Sequence, residues 1–170
     1  MSTCLKCTIC LATVTFILFG TVGSACLKPC PFNWLAFDGH CYRLVTIELT
    51  WPEAETYCQR LANLRLGGSH LASIHSEQEQ AFIVGLVQAS ERIEPATAYW
   101  LGFNDIASEG SFVWNDGTTG TYTNWSSQQP DNVGGSGNVD CAVLAKYYQW
   151  LWDDRGCYAP SFFLCKGKQP

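Results

Sequence analysis

Between Gln129 and Asp154 the chain concentrates oxygen-bearing side chains in a pattern suited to holding a hard cation. The segment reads Gln129-Pro130-Asp131-Asn132, passes through a Gly/Ser loop, and resumes at Asp140-Cys141 and Trp152-Asp153-Asp154 before Cys157. Ca²⁺ takes about 6 to 8 oxygen ligands, and this loop-rich stretch offers carboxylates, side-chain amides and a rigid Pro. Cys141 and Cys157 flank it and could lock the cage shut.

Other chemistry is poorly supplied. His40, His70 and His75 are spread through the N-terminal half without a shared ligand spacing, so structural or surface roles are expected of them. No Ser-His-Asp or Cys-His arrangement with a local nucleophile signature is present, and no enzyme is expected. Asn124-Trp125-Ser126 is a formal glycosylation sequon. It falls in a strand-like stretch around a bulky Trp and is expected to stay unmodified. The balance is acidic, 10 basic against 15 acidic residues for a net charge of −5. No Lys/Arg-rich tract is present, which excludes the electrostatic footprint of a nucleic-acid binder.

The elements that must position the acidic stretch come earlier in the chain. With 170 residues and 47% hydrophobic content, one folded domain with a real core is expected. Cys30 to Cys41 brackets Phe32, Trp34 and Phe37 with an Asp38-Gly39 turn, the mark of a small hairpin, and Cys41 to Thr46 is β-prone. Thr50-Trp51-Pro52-Glu53 has a capping-box pattern with Pro in the first turn. Ala54, Tyr57, Cys58, Leu61 and Leu64 then follow at helical spacing. Leu71 to Ile74 reads as a short strand. Ser76-Glu77-Gln78-Glu79 is a second capping box, opening a helix to about Ala89. A connector with Pro95 follows. Beyond Ala98 the chain turns to Gly, Asn, Asp, Ser and Trp, broken by β-prone runs at Tyr99–Gly102 and Ser111–Trp114. Helices early and a loop-rich sheet late argue α+β. Trp114-Asn115-Asp116-Gly117 reads as a hairpin turn.

Residues 1–25 have the form of a cleaved secretory signal peptide. Lys6 precedes an apolar run from Ile9 to Phe19, and Gly23 and Ala25 precede a cut before Cys26. The run is shorter than the roughly 20 residues a membrane-spanning helix needs, so no membrane anchor is expected. Cys4, Cys7 and Cys10 fall in the removed segment and are bystanders. Seven cysteines remain: Cys26, Cys30, Cys41, Cys58, Cys141, Cys157 and Cys165. In an oxidising compartment these form a disulfide framework with at least one left over. Cys26 is the natural leftover, either bonding a second chain as a disulfide-linked homodimer or remaining a free or capped thiol.

The mature chain resembles a long-form C-type lectin-like domain from about Cys30 to Lys166. A short segment, 26–29, precedes the domain over 30–166, and a tail, 167–170, follows. The resemblance rests on four cysteines in order, Trp100-Leu101-Gly102 at the place of the family's core WIG-like signature, and the Gln129-Pro130-Asp131 triplet. It implies three bridges: Cys58–Cys165 outer, Cys141–Cys157 inner and Cys30–Cys41 at the N-terminus. It also implies two helices flanking small antiparallel sheets, with a long loop region that binds Ca²⁺.

The same resemblance implies ligands residue by residue. Gln129 and Asp131, either side of a proline that resembles the family's cis Pro, would hold a sugar-binding calcium with Asp153 and Asp154. The last two stand where the family usually has Asn-Asp, and a carboxylate at 153 cannot donate the hydrogen bond an amide gives a sugar hydroxyl. The family usually places a Glu two residues before the inner cysteine. Here that position is Val139, which should weaken calcium binding, since affinity follows ligand charge, unless Asn138 moves in. Asp105, Glu109, Asn132 and Asp140 match an auxiliary calcium site.

Gln-Pro-Asp is the family's galactose-type order, and Trp150 and Trp152 are the aromatic candidates for a ring under the sugar, Trp152 more as core. The resemblance implies a secreted, extracellular, Ca²⁺-dependent carbohydrate-binding lectin for galactose-type glycans, of a kind that often serves innate recognition of microbial glycans. The alternative it leaves is a lectin-like fold without sugar binding, an ice-, mineral- or protein-binding module, which Val139 favours.

Overall fold

A computed structural model describes residues 28–61, 68–91, 96–133 and 139–170. The expected signal peptide, Cys26, the expected helix end at Leu64, Pro95 and Asn138 lie outside the described residues. Strands β1 (Leu35–Phe37) and β2 (His40–Leu49) form the expected hairpin, with Asp38 and Gly39 both at positive φ. Helix α1 (Trp51–Leu61) follows. Its first turn is capped from both backbone and side chain, since the Thr50 N–H and hydroxyl both donate to the Glu53 carboxylate. After β3 (Ser69–Leu71), Ser76 caps α2 (Glu77–Ser90) by accepting from the Glu79 N–H at 3.1 Å. The Glu79 side chain does not return to Ser76. It accepts from the His75 N–H and turns into the protein.

The remaining strands are β4 (Ala98–Asn104), β5 (Val113–Trp114), β6 (Cys141–Ala145), β7 (Leu151–Arg155) and β8 (Ser161–Lys168). They form one sheet ordered β1-β2-β8-β4-β6-β7, with β3 also on β8 and β5 also on β4. The expected α+β class holds, with a difference in the sheet: β4 and β8 run parallel, so it is mixed. Trp114–Gly117 is a turn, with the Gly117 N–H donating to the Trp114 carbonyl. Among the described residues no second strand pairs with β5 beyond it, so it closes no hairpin.

Successive strand side chains point to opposite faces, which gives the sheet a core on each side. Trp100, Val143 and Phe163 pack with Trp51, Ala54 and Cys58 of α1. Tyr99, Leu101, Leu144 and Leu164 pack with Ile83 and Val87 of α2. Trp100 is fully buried in the first cluster, its indole N–H donating to the Leu49 carbonyl at 2.9 Å. Gly102 must be glycine, because a Cβ there would stand 2.7 Å from the Leu71 carbonyl oxygen. That close approach sets β4 against the end of β3.

The bridges Cys30–Cys41, Cys58–Cys165 and Cys141–Cys157 are formed. The outer one closes a separation of 107 residues, for which loop-closure entropy gives about 4–5 kcal/mol. The inner one ties β6 to the chain just after β7. Lys28 N–H donates to the Pro170 carbonyl, Gln169 N–H to the Gly39 carbonyl, and β8 runs to Lys168. The expected boundaries at 29/30 and 166/167 therefore fall within hydrogen-bonded chain.

Candidate functional site

The antiparallel pairing of β4 with β6 and of β6 with β7, together with the inner disulfide, brings three segments to one end of the sheet. They are the turn after β4, the loop around Gln129–Asn132, and β7 with Asp153 and Asp154. The Gln129–Pro130 bond is cis, as the resemblance implied, and Gln128 and Asn132 on either side have positive φ.

Asp154 is the anchor of the Gln-Pro-Asp loop. Its Oδ1 accepts from the Asp131 N–H at 3.1 Å and its Oδ2 from the Asn132 N–H at 2.7 Å. Gln129 Oε1 also accepts from the Asp131 N–H, and Asp131 Oδ1 accepts from the Val133 N–H. A buried carboxylate on β7 thus sets the path of the loop, and the loop's own side chains set its turn. Asp153 is buried beside Asp154 and accepts a hydrogen bond from the Tyr147 hydroxyl. Burial pushes the Asp153 carboxyl above the usual range, and Asp154 and Asp131 add to the rise. Burial and the bond to Asp153 push the Tyr147 phenol well above its ordinary value.

The auxiliary set divides. Asp105 and Asp140 are buried and joined through backbone, the Asp105 N–H donating to the Asp140 carbonyl at 3.1 Å. Asp105 is only 3% exposed. Its Oδ2 accepts from the Gly110 N–H at 2.7 Å, while its Oδ1 is buried with no hydrogen-bond partner. Burial, then the charges of Asp140 and Asp154, push its carboxyl up. Glu109 and the Asn132 side chain are exposed at the rim.

Buried oxygens are ordinarily hydrogen-bonded. A buried carboxylate oxygen without a donor, beside two further carboxylates, is the donor set that a hard cation completes, so these residues fit Ca²⁺. They do not present a finished cage: among the described residues no group of three or more His, Cys, Asp or Glu is assembled around a single metal position.

Val139, at the position of the family's usual Glu, is 3% exposed and belongs to the interior. Both Trp candidates for a sugar platform are buried. Trp152 lies in the α2-side core and its indole N–H donates to Gln80. Trp150 has φ 68°, which turns its ring inward onto Tyr99. The aromatic residues beside the loop are two that the sequence reading passed over. Tyr147 and Tyr148 sit on a 3-10 turn (Lys146–Tyr148) between β6 and β7, with ring centroids 4.5 Å apart. Tyr147 reaches Asp153, and Gln129 Nε2 donates to the Tyr148 hydroxyl at a long 3.4 Å. Their signal was a pair of aromatics in a short polar turn just ahead of Asp153. The histidines lie elsewhere: His70 pairs with Glu55, and His75 packs on Trp114 and bonds Thr118.

Comparison with known proteins agrees with this fold. The family model for the Lectin C-type domain matches residues 47–167. The chain is 38% identical to echinoidin of Heliocidaris crassispina, over 81% of this chain and 95% of that protein. It is 36% identical to an alpha-N-acetylgalactosamine-specific lectin of Patiria pectinifera, over 89% of this chain and 92% of that protein. The solved structure of the C-type lectin CEL-I from Cucumaria echinata superposes with a TM-score of 0.73 at 31% identity, covering 84% of this chain and all of that one, 100%.

Proposed function

This chain belongs to the Lectin C-type domain family, and we propose that it is a secreted, Ca²⁺-dependent carbohydrate-binding protein of galactose type, acting by recognition and not by catalysis. Family membership and the lectin relatives support carbohydrate binding. The observation that carries calcium dependence is the buried, unpartnered Oδ1 of Asp105 beside Asp140 and Asp154. Five carboxylates, Asp105, Asp131, Asp140, Asp153 and Asp154, gather at this end, with the Arg155 guanidinium close enough to act on Asp153. Arg155 donates to Ser161 and lowers Asp153 less than burial and the neighbouring carboxylates raise it.

Gln129, Asp131, Asp153 and Asp154 would hold the sugar-site ion, and Asp105, Asp140, Asn132 and Glu109 the auxiliary one. Bound there, a calcium ion supplies open coordination positions for two vicinal hydroxyls. The chain's own part is orientation. Asp154 fixes the Gln-Pro-Asp loop, and Gln129 and Asp131 on either side of Pro130 place an amide and a carboxylate to hydrogen-bond the same hydroxyls. The order amide then carboxylate is the basis for proposing galactose or N-acetylgalactosamine, and the name of the Patiria relative supports it. Assembly into a homodimer through Cys26 would raise avidity without a new contact, and innate recognition of microbial glycans is the role we propose for it.

A second reading, the lectin-like fold serving ice, mineral or protein without sugar, is favoured by the buried Val139. The test is retention of mature protein, residues 26–170, on immobilised galactose. Retention in calcium with release by EDTA supports the lectin, whereas passage through the column in both conditions supports the second reading.

A further inference from the structure

Tyr147 is 65% exposed although its hydroxyl touches the buried Asp153. The ring is therefore not there to fill the core. A tight turn fixes it: the Gln149 N–H donates to the Lys146 carbonyl at 3.0 Å and the Trp150 N–H to the Ala145 carbonyl at 2.9 Å. Gln149 and Trp150 then leave the turn with positive φ. The adjacent ring of Tyr148 supports the aromatic face. Asp153, as a carboxylate, offers only acceptors, whereas a cation-bound sugar hydroxyl needs an acceptor for its proton and a donor for its remaining lone pair.

We propose that Tyr147 is a recognition residue of the sugar site, its phenol and the Asp153 carboxylate together binding one ligand hydroxyl, the phenol as donor and the carboxylate as acceptor. This inference rests on the sugar-binding reading above. In the free protein the phenol O–H donates to the Asp153 carboxylate. A ligand oxygen seated at Asp153 is within reach of the same proton, which is redirected by rotation about the phenol C–O bond while the ring stays in place. The pair does the work of a single side-chain amide, split between the turn and β7. It selects for ligands with a hydroxyl at that position and against deoxy sugars.

Tyr147→Phe keeps the ring and its packing and removes the donor. In calorimetric titration at saturating Ca²⁺, the variant should bind galactose about tenfold more weakly, the loss expected for one hydrogen bond between partly charged groups. Its calcium midpoint, read in the absence of sugar, should be unchanged. In an Asp153→Asn background, where the amide supplies a donor of its own, Tyr147→Phe should cost little, so the double-mutant cycle shows strong coupling. Equal galactose affinity for wild type and Tyr147→Phe would overturn the inference. So would a matching loss of calcium affinity, which makes the hydroxyl a metal ligand, or the same loss in both backgrounds. Wild-type protein that binds calcium but no galactose overturns the sugar-binding reading itself, and this inference with it. Galactose binding by the wild type with an indifferent Tyr147→Phe overturns this inference alone.

Discussion

Two groups of acidic side chains, one around Glu79 at the start of α2 and one at the loop end of the sheet, show opposite electrostatics. Under α2, Glu79 receives Lys166 Nζ at 2.6 Å, the Tyr42 hydroxyl and the His75 N–H, and Lys166 also donates to Ser73. Asp116 joins through the Ser73 and Thr118 hydroxyls. Burial alone would raise the Glu79 carboxyl, but Lys166 and Tyr42 outweigh it and hold it below the usual range. At the loop end, burial raises Asp105 and Asp153, and neighbouring carboxylates raise them further. The first group carries its cation on the chain, in β8. The second has none of comparable reach among the described residues, and is the kind of place where an ion is taken from solution.

The contrast is broken most severely by removing the built-in cation. Lys166→Met should cost about 3–5 kcal/mol, because it leaves Glu79 buried without its charge partner, and urea unfolding would show it. Adding Glu79→Gln should recover part of that loss. A full recovery by calcium instead would mean that the two groups are not distinct.

Next in size is the effect of the calcium ion proposed to bind at the loop end. Calcium at about 100 times its dissociation constant should add about 2.7 kcal/mol to stability, seen as a rise in melting temperature that EDTA reverses. Lys166→Met should show the same calcium increment on its lower baseline.

Smaller still is the effect of charge alone. In calcium-free protein, Asp105→Asn should raise the melting temperature slightly and reduce the calcium increment. The pH dependence has opposite signs in the two regions. Glu79, held low when folded, contributes stability that is present above its unfolded value near about 4.3 and lost as pH falls through its folded value. Asp105 and Asp153, held high when folded, take up protons more readily in the folded state. Without calcium, stability from this region declines as pH rises from about 3.9 through their folded values. Urea midpoints across acidic pH would show part of that decline removed in Asp105→Asn and left intact in a surface Glu48→Gln control.

What the sequence made legible was mostly local. Both helix starts were readable because Thr50/Glu53 and Ser76/Glu79 act within one turn, and the Asp38-Gly39 hairpin because two residues decide it. Even so, Glu79 abandons its capping-box partner for Lys166, since a buried ion pair competes for its oxygens and no local pattern contains Lys166. The parallel contact of Tyr99 and Trp100 with Phe162 and Phe163 joins distant segments and has no sequence signature. The site was legible as a set of oxygen donors, through the triplet and the Asp pair, but not as a geometry. Asp105 was legible as an oxygen donor, but its burial was not, because β4 carries it against Asp140 from a distant segment. Trp150 looked available to a sugar, but its left-handed backbone turns it onto Tyr99 and leaves Tyr147 outside in its place.

The measurement that tests the account most directly is calorimetric titration of residues 26–170 with Ca²⁺, then with galactose and with mannose, each repeated in EDTA. The account predicts calcium binding, galactose binding that needs calcium, and weaker or no binding of mannose. No heat with calcium, in protein whose Lys166→Met variant confirms the polar group under α2, would contradict the claim that the loop end binds a cation.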